Sequence, residues 1–166
     1  MQIAGQISMD VPRQRAISAC HDPENLKILL PVTGTITKVD ETQFDILLTP
    51  NTPFFKSTLP GTLTLTPIEE GFIYQLEASA KVPLVGGIDM SATLNFDGGK
   101  TQCTVNYAGK IAATGMLARL LYPREARIRA NLEARFEQLR LRIIQIQRGA
   151  ERRSANIRAE KAREAK

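Results

Sequence analysis

Residues 115–147 read GMLARLLYPREARIRANLEARFEQLRLRIIQIQ, and this stretch decides the fold. Its apolar residues recur three, four or seven positions apart, which at about 100° per residue places them on one stripe of a helix. They are Leu117, Leu121, Ile128, Leu132, Phe136, Leu139, Ile143 and Ile146. Pro123 has no backbone N–H, so it either kinks the helix or marks where its regular part begins. The spacing predicts one long amphipathic helix that docks on its own core or, alternatively, forms a coiled coil or binds a partner.

The composition fits one domain followed by a tail. A chain of 166 residues with 43% apolar content can bury a core without disulfides or metal. We assign residues 1–147 to the domain. Residues 148–166 form a basic tail, either frayed helix or disordered, because only Ile157 remains as an aliphatic residue to dock it.

The cysteines and the N-terminus indicate a cellular compartment. Cys20 and Cys103 show no metal-ligand or redox spacing, so both are interpreted as buried small apolar residues in a reducing environment. The N-terminus has no secretion-signal pattern, and no run reaches about 18 apolar residues. These features favour a cytoplasmic protein that can associate peripherally with a membrane, and no cofactor or metal is expected.

Apolar and polar residues alternate along most of the remaining chain, which is typical of strands. The alternation predicts strands at residues 2–10, 35–40, 43–49, 58–67, 71–82, 87–97 and 100–111. Two short helices follow the first strand. Asp22 is placed to cap the second of them, with Pro23 as its first residue and Pro31 at its end. Short glycine-containing turns at 69–71, 85–87 and 97–100 join the last strands as antiparallel hairpins.

A sheet of about seven antiparallel strands with one apolar face needs a cover, which the long helix and the two short helices supply. The predicted fold is therefore α+β, a helix-grip arrangement in which a twisted sheet wraps around the C-terminal helix and leaves room for a cavity. Small inward residues such as Ala78, Ala80, Ala92 and Gly109 would leave volume unfilled. The predicted lining consists of Tyr74, Leu76, Ala78, Met90, Ala92, Val105, Tyr107, Leu117, Leu121, Leu132 and Phe136.

Several segments in this order resemble the START-like SRPBCC superfamily, in particular the CoxG family of carbon monoxide dehydrogenase subunits. They are QIAGQISMDVPRQRAI at 2–17, HDPENLKILLP at 21–31, STLPGTLTLTPIEEG at 57–71 and GGKTQCTVNYAGKIAATGMLARLL at 98–121. The resemblance covers residues 1 to about 145. It implies a helix-grip protein that carries an apolar molecule in its cavity. It also implies that the protein helps a redox enzyme, either by recruiting it or by shuttling lipid-soluble quinone.

The sequence contains no recognisable catalytic constellation. His21 is the only histidine and is interpreted as a surface residue beside the Asp22 cap. The glycine pairs 86–87 and 98–99 are hairpin turns, since no helix start follows them. We therefore predict a non-catalytic binder of a quinone or lipid-like molecule. The alternatives are a polyketide cyclase or aromatase-type enzyme, which Tyr74 or Tyr107 beside a carboxylate would favour, and a ligand-free interaction module.

Charge is divided unevenly along the chain. Residues 1–112 contain 8 basic and 11 acidic residues, whereas residues 113–166 contain 14 basic and 6 acidic residues. A basic tail without an apolar anchor indicates weak, salt-sensitive contact with an anionic membrane. Nucleic acid is not expected as a partner, because the segment after Phe136 has no aromatic residue on which bases could stack.

Overall fold

The computed structural model describes residues 1–30, 33–49, 57–69 and 71–165, which form seven strands and four α-helices. The strands are β1 (Gln2–Met9), β2 (Gly34–Lys38), β3 (Gln43–Leu48), β4 (Leu59–Glu69), β5 (Ile73–Val82), β6 (Gly86–Gly98) and β7 (Cys103–Ala113). The helices are α1 (Arg13–Cys20), α2 (Pro23–Leu26), α3 (Gly115–Leu121) and α4 (Glu125–Glu164), and 3-10 turns follow α2 and α3 at Lys27–Leu29 and Tyr122–Arg124. Each strand lies within a few residues of its predicted position.

All seven strands belong to one antiparallel sheet in the order β1-β7-β6-β5-β4-β3-β2. Strands β2 to β7 form a meander, since each pairs with the next along the chain. Strand β1 instead pairs with the last strand, with Ile3 opposite Gly109 and Ile7 opposite Val105. The first strand thus lies beside the strand that leads into the C-terminal helices, which confirms the predicted α+β helix-grip fold.

The second short helix is capped as predicted. The Asp22 carboxylate accepts a hydrogen bond from the backbone N–H of Glu24 at 2.9 Å, and Pro23 occupies the first helical position. The helix is shorter than expected, since α2 ends at Leu26 and tightens into the 3-10 turn. Pro31, its predicted end, and Glu70 of the predicted 69–71 turn lie outside the described residues.

Replacing Asp22 by alanine should lower the free energy of unfolding by about 1 kcal/mol, because one backbone N–H at the start of α2 loses its acceptor. Urea denaturation measures this change. Asp45→Ala is the matched control, because Asp45 is exposed on the outer face of β3. Equal losses in the two variants would contradict a capping role for Asp22.

The predicted single C-terminal helix is divided at Pro123. Helix α3 ends at Leu121, the 3-10 turn contains Pro123, and α4 begins at Glu125. Proline interrupts the helix because it has no N–H to donate and its ring collides with the preceding turn. The alternative in which Pro123 marks the start of the regular helix therefore describes the chain. Helix α4 then continues without a break to Glu164, so the tail is helical. Its residues from 151 to 165 are exposed, and the domain boundary at residue 147 stays a prediction.

The core lies between the concave face of the sheet and the helices. Phe44 and Phe96 are fully buried on the sheet, and Leu139 and Ile143 of α4 are 5% and 2% exposed. Leu139 and Ile143 lie four residues apart and so occupy the same face of α4. Burial of this one stripe is what holds α4 to the domain.

Candidate functional site

A small internal space of about 90 Å³ lies between the sheet, the two short helices and α4. The sheet contributes Ile3, Ile7, Met9, Leu65, Leu76, Met90, Ala92, Leu94, Val105 and Tyr107. The helical segments contribute Ala16, Cys20, Leu26, Leu29, Leu132, Phe136, Leu139, Arg140 and Ile143. The wall is therefore built almost entirely from aliphatic and aromatic side chains, as in sites that hold apolar molecules.

The structure brings seven of the eleven predicted lining residues together around this space. They are Leu76, Met90, Ala92, Val105, Tyr107, Leu132 and Phe136. The other four lie elsewhere. Tyr74 is 8% exposed and packs edge-on against His21 and Phe96, with ring centroids 5.3 and 5.7 Å away. Ala78 is half-buried on β5 outside the lining. Whether any of the seven contacts a ligand stays a prediction.

Leu117 and Leu121 lie outside the lining because the break at Pro123 separates α3 from α4. Helix α3 packs on β6 and β7 near the end of the sheet, and Leu117 is buried there. A continuous helix would have put these leucines on the same stripe as Leu132. The interruption directs them into a separate contact beyond the space.

The sequence interpretation missed residues on both sides of the space. Ile3 and Ile7 alternate on the apolar face of β1, and this signal was readable in the sequence. Leu26 and Leu29 follow the Asp22 cap. The cap predicts where the helix begins, but the direction of these two side chains depends on how the helix packs in the fold. Arg140 contributes through its aliphatic stem, while its guanidinium donates to the exposed Glu137 carboxylate at 2.7 and 2.8 Å. Its charge therefore faces solvent.

Tyr107 is fixed between a glycine and an aromatic ring. It lies opposite Gly5 in the register of β1 and β7, where a Cβ on Gly5 would be 2.5 Å from the tyrosine hydroxyl oxygen. On its other side the ring lies 4.5 Å from that of Phe136 at a tilt of 32°. A side chain at position 5 would therefore have to displace this tyrosine.

Two of the small inward residues shape the space in opposite ways. Ala92 lines it and is 6% exposed, so its small side chain leaves volume beneath α4. Gly109 leaves no such volume, because a Cβ there would lie 2.6 Å from the Cβ of Ala92 and 2.3 Å from the carbonyl oxygen of Ser91. The room at Gly109 is already occupied by the neighbouring strand.

The tyrosine and the cysteine at the space are held in their neutral forms. Burial raises the pKa of the Tyr107 hydroxyl, and the nearby Glu133 carboxylate raises it further. Burial and then the neighbouring Cys103 raise the pKa of the Cys20 thiol to about 12. Glu133 itself is exposed on α4 and does not line the space. Among the lining residues, Arg140 alone is ionised near neutral pH, and its guanidinium pairs with Glu137 instead of facing the space.

Cys103 is buried, as predicted, whereas Cys20 is only partly buried. The Cys20 thiol should nevertheless be unreactive in the folded protein. At pH 8 the thiolate fraction of Cys20 is roughly a thousandfold lower than for a cysteine of ordinary pKa, so a thiol reagent should modify it only when the protein unfolds. Because the folded state keeps this proton more tightly than the unfolded chain, the free energy of unfolding should fall as pH rises from about 9 towards 12. Labelling and urea titrations on a Cys103→Ala background isolate Cys20. Fast labelling of the native protein at pH 8 would refute this assignment.

His21 ends α1 beside the Asp22 cap, as predicted, although it is half-buried. Its Nδ1 donates to the carbonyl oxygen of Ile17 at 2.9 Å, and its ring contacts Tyr74. Within the described ranges, no group of three or more His, Cys, Asp or Glu side chains is arranged to hold a metal ion. In the same part of the chain, none of the helices combines the length and apolar character needed to cross a membrane.

Solved structures of other proteins share this fold. A conserved protein from Geobacillus kaustophilus superposes with a TM-score of 0.70 at 14% identity, covering 87% of this chain and 96% of that one. A protein from Thermus thermophilus gives a TM-score of 0.61 at 14% identity, with 88% and 99% covered. Norcoclaurine synthase from Thalictrum flavum, solved as a point mutant with a transition-state analogue, gives 0.53 at 12% identity, with 89% and 96% covered.

These likenesses support the helix-grip fold. No family model matches the chain, and no curated protein matches it. The resemblance to the CoxG family therefore stays a prediction.

Proposed function

We propose that this protein binds an apolar molecule, a quinone or a lipid-like compound, between its sheet and α4 without transforming it chemically. The apolar wall of the internal space carries this proposal. Burying hydrocarbon surface there would gain about 25 cal/mol per Å² removed from water. The accessory role towards a redox enzyme rests on the resemblance to the CoxG family and belongs to the proposal.

The size of the space sets a condition on binding. An apolar cavity of about 150 Å³ holds benzene, whereas this space measures about 90 Å³. A quinone ring or an acyl chain is larger than benzene. Binding therefore requires the walls to separate from the closed arrangement described above.

Helix α4 is the wall best suited to move. The 3-10 turn at Pro123 joins it to α3, so the two helices do not form one rigid rod. Polar contacts hold α4 to the short helical segments across the space. Arg135 donates to the carbonyl oxygen of Ile28 at 3.0 Å, and Arg15 donates to the side-chain oxygen of Gln147 at 3.0 Å. Water can replace these hydrogen bonds at little cost in free energy. The main cost of lifting α4 is therefore the exposure of its apolar stripe to water.

Mass spectrometry on solvent extracts of the purified protein tests the proposal. A co-purifying quinone or lipid, at a stoichiometry that falls when the site is blocked, supports it. The complementary measurement is titration of stripped protein with a short-chain quinone and with N-phenyl-1-naphthylamine, an apolar fluorescent probe. An extract without apolar compounds, together with no binding of either added molecule, would overturn the proposal and leave the ligand-free interaction module.

We also propose that the basic tail makes weak contact with an anionic membrane. Residues 148–166 contain seven basic and three acidic residues, and residues 148–164 continue α4 into solvent. Basic residues near an anionic surface contribute about 1 kcal/mol each, and salt screens this attraction. Co-sedimentation with anionic vesicles at low salt should be weaker for a chain that ends at Gln147 than for the full chain. Equal binding would rule the tail out as the contact.

A further inference from the structure

Two loops are tied together at one end of the sheet. The turn between β5 and β6 reaches the corner between β7 and α3, and hydrogen bonds join them. The N–H of Thr114 donates to the carbonyl oxygen of Gly87 at 2.9 Å, the N–H of Gly87 donates to the Thr114 hydroxyl at 3.0 Å, and the N–H of Met116 donates to the carbonyl oxygen of Val85 at 2.8 Å. The two loops, residues 84–87 and 114–116, therefore form one fixed surface, which we call the tip surface.

The tip surface displays large apolar side chains to solvent. Leu84 is fully exposed and Met116 is 50% exposed. Leu84 also has φ = +68°, a left-handed conformation that leucine adopts rarely because its Cβ crowds the following backbone. Asparagine or glycine would fit this turn more easily and would expose no apolar side chain. Leu84 thus holds a large apolar side chain in solvent at a backbone conformation that costs free energy, and this side chain is available for contact with an apolar environment.

The surroundings of the tip surface are basic. The segments 82–88 and 111–124 contain Arg119 and Arg124 and no acidic residue. The two acidic residues that flank these segments are paired, Asp89 with Lys81 at 3.5 Å and Glu125 with Arg129 at 2.9 Å. Arg119 follows Met116 by three residues and therefore lies on the same face of α3. Tyr122 is 47% exposed and is tied back to the corner through its hydroxyl, which contacts the backbone of Ala113 at 3.2 Å. An apolar tip, a flanking tyrosine and arginines are the side chains found where proteins meet lipid headgroups.

We propose that the tip surface docks on an anionic lipid bilayer, with Leu84 and Met116 entering the boundary between headgroups and acyl chains and Arg119 pairing with lipid phosphate. A specific protein interface buries about 1,200 Å² or more in total. Two projecting side chains on a convex turn offer far less, but they suffice as apolar insertions beside basic residues. The surface is separate from the internal space, since neither Leu84 nor Met116 lines it. The inference therefore stands independently of the proposed ligand.

The test compares vesicles of phosphatidylcholine alone with vesicles that also contain phosphatidylglycerol, using the full chain. Leu84→Asn should weaken binding to the mixed vesicles about tenfold, the expected effect of removing one buried leucine. This substitution keeps the charge and suits the left-handed backbone, so folding should be unaffected. Arg119→Gln should weaken binding about fivefold at low salt and hardly at all at high salt. Val39→Asn is the matched control, because Val39 is exposed to 53% in the turn between β2 and β3, at the other end of the sheet, and it should bind as the unmodified chain does.

Three results would overturn the proposal. The first is no binding of the unmodified chain to either vesicle. The second is equal binding of the Leu84→Asn and Val39→Asn variants, which would assign any attachment to other residues. The third comes from sedimentation velocity: an unmodified chain that self-associates, with Leu84→Asn monomeric and no vesicle binding, would show that a second copy covers the tip surface.

Discussion

Replacing Leu139 by alanine should lower the free energy of unfolding by about 2–5 kcal/mol. Leu139 is 5% exposed at the centre of the buried stripe of α4 and lines the internal space. Its removal loses transfer free energy and enlarges a space that is already incompletely filled. For a chain of this size the melting temperature should fall on the order of 10 °C.

Leu141→Ala provides the matched control for this prediction. Leu141 lies on the same helix two residues away and is 48% exposed, so its truncation should change the free energy of unfolding by less than about 0.5 kcal/mol. Urea denaturation of both variants measures the difference. A small loss in Leu139→Ala would show that α4 is not held to the sheet by this stripe. If Leu139→Ala remains folded, its larger space should also bind N-phenyl-1-naphthylamine more tightly.

The sheet was predictable because its information is local. Strict alternation on β5, β6 and β7 assigned the buried side of each strand, and short turns with glycine allowed only antiparallel neighbours. The position of β1 in the sheet, by contrast, is not encoded in its local sequence. Its pairing with β7 depends on contacts more than 90 residues apart, such as the Ser8 and Thr104 hydroxyls at 3.0 Å. The pattern of residues 2–9 predicted a strand but not its neighbour in the sheet, which the structure supplies.

The candidate site was predictable from the strands but less so from the helices. Alternation correctly directs Leu76, Met90, Ala92 and Val105 inwards, and the lining contains all four. Helical spacing placed Leu117 with Leu132 because it assumed an unbroken helix through Pro123. A proline marks a break but does not give the new direction of the chain, which depends on how α3 packs against β6 and β7.

The tyrosines show the same limit at the level of single side chains. Tyr74 and Tyr107 both point inwards along their strands, yet only Tyr107 lines the space. The difference lies in the neighbours. Gly5 makes room for Tyr107 beneath Phe136, whereas His21 and Phe96 enclose Tyr74. Neighbours of this kind come from distant parts of the chain, and the local pattern carries no information about them.

Replacing Ala92 by leucine should abolish binding of apolar molecules, or weaken it at least about tenfold. Ala92 is buried at the wall of the space and pairs with Gly109 across β6 and β7. Three added carbon atoms would project into a volume of about 90 Å³ and occupy the position where a ligand must enter. Overpacking of this kind costs about 1–3 kcal/mol of stability, so the variant should remain folded.

Ala108→Leu is the matched control, because Ala108 lies on neighbouring β7 with its side chain exposed on the outer face of the sheet. It makes the same chemical change without reaching the space, and it should bind N-phenyl-1-naphthylamine and a short-chain quinone as the unmodified protein does. Ala92→Val is a milder second variant should the leucine prove too large, and it should give an intermediate loss. Circular dichroism establishes that each variant is folded before the titrations are compared. Unchanged affinity in a folded Ala92→Leu protein would mean that apolar molecules bind elsewhere than between the sheet and α4.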